Sequence, residues 1–180
     1  MTTRLTFALG LALTLMACSP VLVAPEKKWV LSTDSPVALS TQSSSQVWQL
    51  MPVRLPGYMN QDNLLLPKPQ AHAARWAELP SESAQRILAA DLAVIVGVSQ
   101  IWNGTVPSGV YAQPLRVEVQ SFDVSADGRQ IKLQARWSAG TQVHQTIIHT
   151  PVAEPLGISE LVQAHRLALA RLAQAVAVTL

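Results

Sequence analysis

The 180-residue chain holds one cysteine, Cys18, and that scarcity excludes an intrachain disulfide, a cysteine zinc knuckle and a C-x-x-C redox pair. Charge is also sparse. Asp, Glu, Lys and Arg make up 13% of the residues and form no basic run or arginine stripe, so the electrostatic footprint of a nucleic-acid binder is missing. The motifs that carry chemistry are absent too: no H-E-x-x-H, no G-x-S-x-G elbow and no phosphate-cradling glycine loop. His144 and His149 lie five apart in a strand-like stretch, an odd number that turns them to opposite faces and denies them a shared metal. His72 and His165 are isolated, and a histidine on an apolar stripe reads first as a hydrogen-bonded core residue. Asp123 and Asp127 flank a turn, where turn chemistry is the simpler account. Asn103-Gly104-Thr105 fits a glycosylation sequon but reads better as an Asn-Gly turn. The expectation is a protein without catalytic residues, metal or cofactor.

What is present begins at the N-terminus. Arg4 precedes an apolar run from Leu5 to Met16, 12 residues long, short of the roughly 20 that span a bilayer. Leu15-Met16-Ala17-Cys18 resembles the bacterial lipobox, with Met16 a less usual occupant of its second place. That resemblance implies cleavage after residue 17 and a lipidated Cys18, the covalent lipid standing in place of any cofactor. Three acyl chains would contribute a gross anchoring term on the order of 30 kcal/mol. Two other readings stay open: an uncut segment extended by Val21 to Ala24 as a signal anchor, or ordinary signal-peptidase cleavage with Cys18 incidental. Removing residues 1–17 takes away only Arg4, so 12 basic and 11 acidic residues remain and the formal charge falls from +2 to +1.

Residues 18–46 read as a lipidated N-terminus with a short strand at Lys28 to Leu31 and a Ser/Thr-rich linker. Residues 47–180 read as one globular domain, long enough to bury about 70% of its unfolded surface without staples. Val47 to Leu55 has strand character, and Pro52 places it at an edge or makes it bulge. Asn63 to Leu66 is a candidate to pair back. Ser81 is positioned to cap a helix whose apolar face is Ala84, Ile87, Leu88, Leu92 and Ile95, with Gly97 as the stop and Glu82–Arg86 as an exposed pair. From Leu115 to Ile148 the apolar period changes to two. An out-of-step position near Ser121, a turn at Asp127-Gly128 and another at Ser138-Ala139-Gly140 predict a three-strand antiparallel meander. A final helix, Ser159 to about Val178, buries Leu161, His165, Ala168, Leu172 and Val176, with Glu160, Gln163, Arg166 and Gln174 on its wet side.

Several segments in this order carry a second resemblance. They are Val53-Arg54-Leu55-Pro56-Gly57-Tyr58, Ala74-Arg75-Trp76-Ala77-Glu78, the Val-x-Val-x-x-Phe-Asp of Leu115 to Asp123, and Leu161 to His165 with Ala168-Leu169 and Leu172-Ala173. Together they are similar to the ABC-type transport auxiliary lipoproteins, the group typified by paraquat-inducible protein C. Two departures stand out: Met59-Asn60-Gln61-Asp62 lacks the arginine that often follows the tyrosine, and Leu79-Pro80 reverses the usual order. The resemblance implies an α/β fold bordering on α+β, with a mixed, largely antiparallel sheet of about five strands and two main helices packed on it. It also implies an outer-membrane lipoprotein facing the periplasm, a trans-periplasmic MCE-domain partner, lipid transport between membranes and a homo-oligomer. Partner contacts would fall on Trp48, Leu55, Pro56, Tyr58, Arg75 and Trp76, although each aromatic also fits ordinary core or edge packing. Ser19 is not the aspartate that retains enterobacterial lipoproteins in the inner membrane. The competing reading is a stand-alone structural or assembly lipoprotein of the envelope. Cys18→Ala should abolish incorporation of labelled palmitate in cells, and unchanged labelling would overturn the lipobox reading.

Overall fold

The computed structural model describes residues 27–35, 38, 39, 41, 46–64, 74–154 and 156–180. The signal segment, Cys18, His72 and the far end of the Asn63 to Leu66 segment lie outside them. In chain order the elements are β1 (Lys28–Trp29), β2 (Trp48–Leu50), β3 (Arg75–Trp76), α1 (Pro80–Val96), β4 (Ile101–Asn103), β5 (Gln113–Val124), β6 (Gln130–Ala139), β7 (Gln142–Pro151) and α2 (Ile158–Ala177). Five strands form a mixed sheet in the order β4-β2-β5-β6-β7, and β1 pairs with β3 in a separate parallel ribbon. The α/β class with two main helices is therefore as expected.

The meander forms where the alternation places it. Buried Leu115, Val117 and Val119 continue to Phe122 only because the register of β5 against β6 shifts between Val119 and Ser121, the bulge that the broken alternation signals. Gly128, at φ 77°, supplies the left-handed residue of the Asp127-Gly128 turn. The other half of the sheet is less expected. β2 is not an edge strand; it lies between β4 and β5, parallel to both. Pro52 acts through a bulge instead: Leu50 pairs with Leu115 but Arg54 bridges Glu118, so β2 spends one residue more than β5 and Val53, not Pro52, turns inward.

Both helices pack on one face of the sheet, and burial alternates along β6 and, either side of the bulge, along β5, so that among the described residues no helix covers the opposite face. All five predicted apolar residues of α1 are buried, and Gly97, at φ 109°, ends the helix. Its start differs from expectation. Leu79 is the N-cap, Pro80 fills the first turn, and the side-chain acceptor comes from elsewhere: the Ser81 amide donates to Asn60 Oδ1 at 3.1 Å. Arg86 pairs with Glu78 rather than Glu82 and also donates to the Leu31 carbonyl at 3.0 Å.

The larger correction concerns Arg166. It is not on a wet side but 4% exposed, because α2 is enclosed by the sheet, α1 and the N-terminal segment and buries 12 of its 20 residues. Its guanidinium makes two bonds to the Asp91 carboxylate, at 2.8 and 2.7 Å, and donates to the carbonyls of Ser32 and Thr33 at 2.8 and 3.0 Å. One cation thus ties α2 to α1 and pins residues 32–33 across both. Burial pushes the Asp91 carboxyl above its ordinary value, and the contact with Arg166 opposes that shift. Residues 27–35 are further secured where Ala77 N donates to Trp29 O at 2.8 Å and where Leu31 enters the core.

An isolated charge left in this environment is costly. Asp91→Ala should lower unfolding free energy by about 3–5 kcal/mol in urea titrations, whereas Asp91→Leu combined with Arg166→Met should recover most of the loss. A single-variant loss below about 1 kcal/mol would contradict the assignment.

Candidate functional site

Folding brings most of the predicted contact residues to one corner. After Pro56, whose carbonyl accepts from the Met59 and Asn60 amides at 3.0 and 3.2 Å, the chain turns so that Tyr58 reaches Asp123 Oδ1 with its hydroxyl at 2.8 Å. Partial burial, reinforced by the bond to Asp123 and its charge, raises the Tyr58 pKa. Arg75 pairs with Asp62 at 3.2 Å, and its backbone bridges Asn63. Leu55 is half-buried and Trp76 buried; together with Leu31, Phe122 and His165 they line a cavity of about 30 Å³. That volume suits about one water and no acyl chain.

Trp48 is elsewhere. It pairs with Gln113 at the start of β5, while Phe122 lies nine residues further along that strand, roughly 30 Å away. Trp48 and Trp76 are 6% and 8% exposed, so they are held as core, and Tyr58, at 47%, is the aromatic of the three that meets solvent.

His165 fills the centre of this corner, as a core histidine. Its Nδ1 lies 2.7 Å from the Leu161 carbonyl, and its ring meets Trp76 edge-on and Phe122 at a tilt. Desolvation lowers its pKa to about 4, outweighing the upward pull of the Leu161 bond, so the ring is neutral at pH 7. The Leu161 carbonyl can only accept, which makes Nδ1 the protonated nitrogen. His144 stacks on Trp137, and His149 is paired with Gln130. Among the described residues no three His, Cys, Asp or Glu side chains could share a metal ion.

The bare sheet face holds what the linear reading did not anticipate. A trough of about 540 Å³ crosses β5 and β6 between the Met51 to Arg54 segment and Val143 of β7, and it gathers Arg54, Arg116 and Arg136 around Glu118. Arg54 bridges Glu118 from one side, and Arg136 lies directly opposite it on the other. The register shift makes this pairing. Counting back from the Asp127-Gly128 turn without it would set Glu118 against Trp137 and turn Glu118 and Arg116 inward, away from Arg136. A basic cluster can thus arise with no basic run in the sequence.

Residues 29–177 match the family described as ABC-type transport auxiliary lipoprotein component. The chain belongs to that family. No curated protein matches this auxiliary lipoprotein significantly. Its fold is similar to that of a solved structure described as an uncharacterized protein, 17% identical with a TM-score of 0.59, covering 86% of this chain and 97% of that one. Protein XCC0632 from Xanthomonas campestris is also similar, 13% identical with a TM-score of 0.59, covering 81% of this lipoprotein and 92% of its own chain. At those identities the likeness establishes the fold. Among the described residues of the auxiliary lipoprotein no helix is long and apolar enough to cross a membrane.

Because His165 has a depressed pKa, the unfolded chain binds the extra proton first as pH falls. Its neutral burial is therefore cost-free above pH 6.5 and becomes destabilising between 6.5 and about 4. Between pH 7.5 and 4.5 the parent should lose about 2.5 kcal/mol more stability than His165→Leu, as read from urea midpoints. Equal losses in the two proteins would show that His165 does not carry the effect.

Proposed function

We propose that this auxiliary lipoprotein is held by a lipidated Cys18 on the periplasmic face of the outer membrane and docks a trans-periplasmic MCE-domain protein of an ABC-type lipid transport system, without chemistry of its own. The observation that carries the reading is the one-sided covering of the sheet: two helices and the N-terminal segment occupy one face, and among the described residues no helix covers the other. A protein partner takes about 800 Å² on each side, and the outward side chains of β5, β6 and β7 are where this domain offers a surface for it. Membership of a transport auxiliary family supplies the context, and Ser19 after the lipobox cysteine favours delivery to the outer membrane. The buried histidine and the buried Arg166–Asp91 pair serve packing, consistent with a docking role. Self-association into a ring would place further copies around the same partner.

Affinity purification of the tagged, lipidated chain from membranes should recover an MCE-domain protein, and fractionation should place both in the outer-membrane pool. Recovery of no such partner, with the tagged chain intact in that pool, would favour the stand-alone envelope lipoprotein instead.

A further inference from the structure

The trough on the bare sheet face gathers more positive charge than its surroundings use. Arg54, Arg116 and Arg136 are all exposed, and among the described residues none of them has a carboxylate within ion-pair distance. With Glu118 the cluster has a net charge of +2, equal to the formal charge of the whole chain. Guanidinium groups bind compact multi-oxygen anions through paired N–H donors, and they lose less than lysine on desolvation.

We propose that this trough is a binding site for the phosphate of a glycerophospholipid. Placement argues for one compact anion. Arg54 and Arg136 stand on either side of Glu118 across neighbouring strands, and Arg116 stands two positions along on the same face, so all three line one trough. Three cations confined to one trough suit a single compact multi-oxygen anion better than the spaced carboxylates of a long acidic segment. The trough is open and shallow at the sheet surface, which suits a headgroup presented on the end of a larger molecule. Its walls add Met51 and Val143, the latter 56% exposed, as apolar footing beside the charges where glycerol and the first methylenes would lie. Glu118, between Arg54 and Arg136, opposes part of the attraction for the phosphate and supplies an acceptor for headgroup hydroxyls or an ammonium.

The inference rests on the reading of the chain as a lipid-transport component, and its test is independent of any protein partner. The full chain in neutral detergent is titrated, by nuclear magnetic resonance, with three probes: dihexanoyl phosphatidylglycerol below its micelle concentration, inorganic phosphate and a glutamate-rich peptide. Saturable shifts at the trough with the short-chain lipid, about tenfold tighter than with inorganic phosphate, are the expected result. Arg116→Gln and Arg136→Gln should each weaken that binding by about tenfold without changing the fold, and Glu118→Gln should strengthen it. Lipid binding that survives the double arginine variant overturns the assignment, as does equal affinity for inorganic phosphate. Tighter binding of the acidic peptide assigns the trough to a protein partner and overturns it as well. Loss of MCE-partner recovery with lipid binding intact would remove the docking reading alone.

Discussion

A single buried cation links three parts of the chain that no sheet bond connects. Arg166 presents a planar fork to Asp91 and spends its remaining donors on the backbone of residues 32–33, so its charge is neutralised and its hydrogen-bonding capacity largely met inside a region that would otherwise reject it. Such an arrangement contributes less to net stability than equivalent hydrocarbon packing would. What it adds is definition: α1, α2 and the N-terminal segment have one relative placement that satisfies all the donors. The segment from Lys28 is consequently part of the domain, through β1 pairing and Leu31 burial, and it meets the rest of the protein at the helix pair.

That placement divides the molecule into a helix side and a bare side. Residues 27–35 lie with the helices, while the arginine trough and the exposed side chains of β7 lie opposite. β7 is a ten-residue edge strand. Its outward carbonyl at His149 is taken by Arg171 of α2 at 2.8 Å, and Pro151 closes its end, two devices that discourage unselective strand pairing. An edge guarded in this way directs association towards the face of the sheet.

The parts legible in the sequence were those governed by local rules. The helices at Pro80–Val96 and Ile158–Ala177 announce themselves by spacing, and the meander by alternation, down to the out-of-step residue that becomes the bulge. Interactions between distant segments were not legible. Nothing near Ile101–Asn103 signals a strand, since those three residues gain their order from lying beside β2. Asn60 replaces Ser81 at the start of α1 because the loop before it delivers a better-placed acceptor, a matter of tertiary approach that no spacing records. Arg166 looked solvated because helical periodicity describes one contact face, and α2 has several. The trough required strand register, and one extra residue in β5 decides whether Arg116 and Glu118 face water or core.

The clamp also constrains the order in which the molecule can form. Arg166 lies 134 residues from Ser32 and 75 from Asp91, and β2 must enter between a strand that follows α1 and the first strand of the meander. Contacts of such long sequence separation close late, after the loops between them have lost their freedom. The hairpins of β5, β6 and β7 need only their own turns, but β1 and the helix pair find their final positions only when α2 is available to dock. A chain built this way stays open until its last helix joins, and the C-terminal residues decide when the whole domain closes.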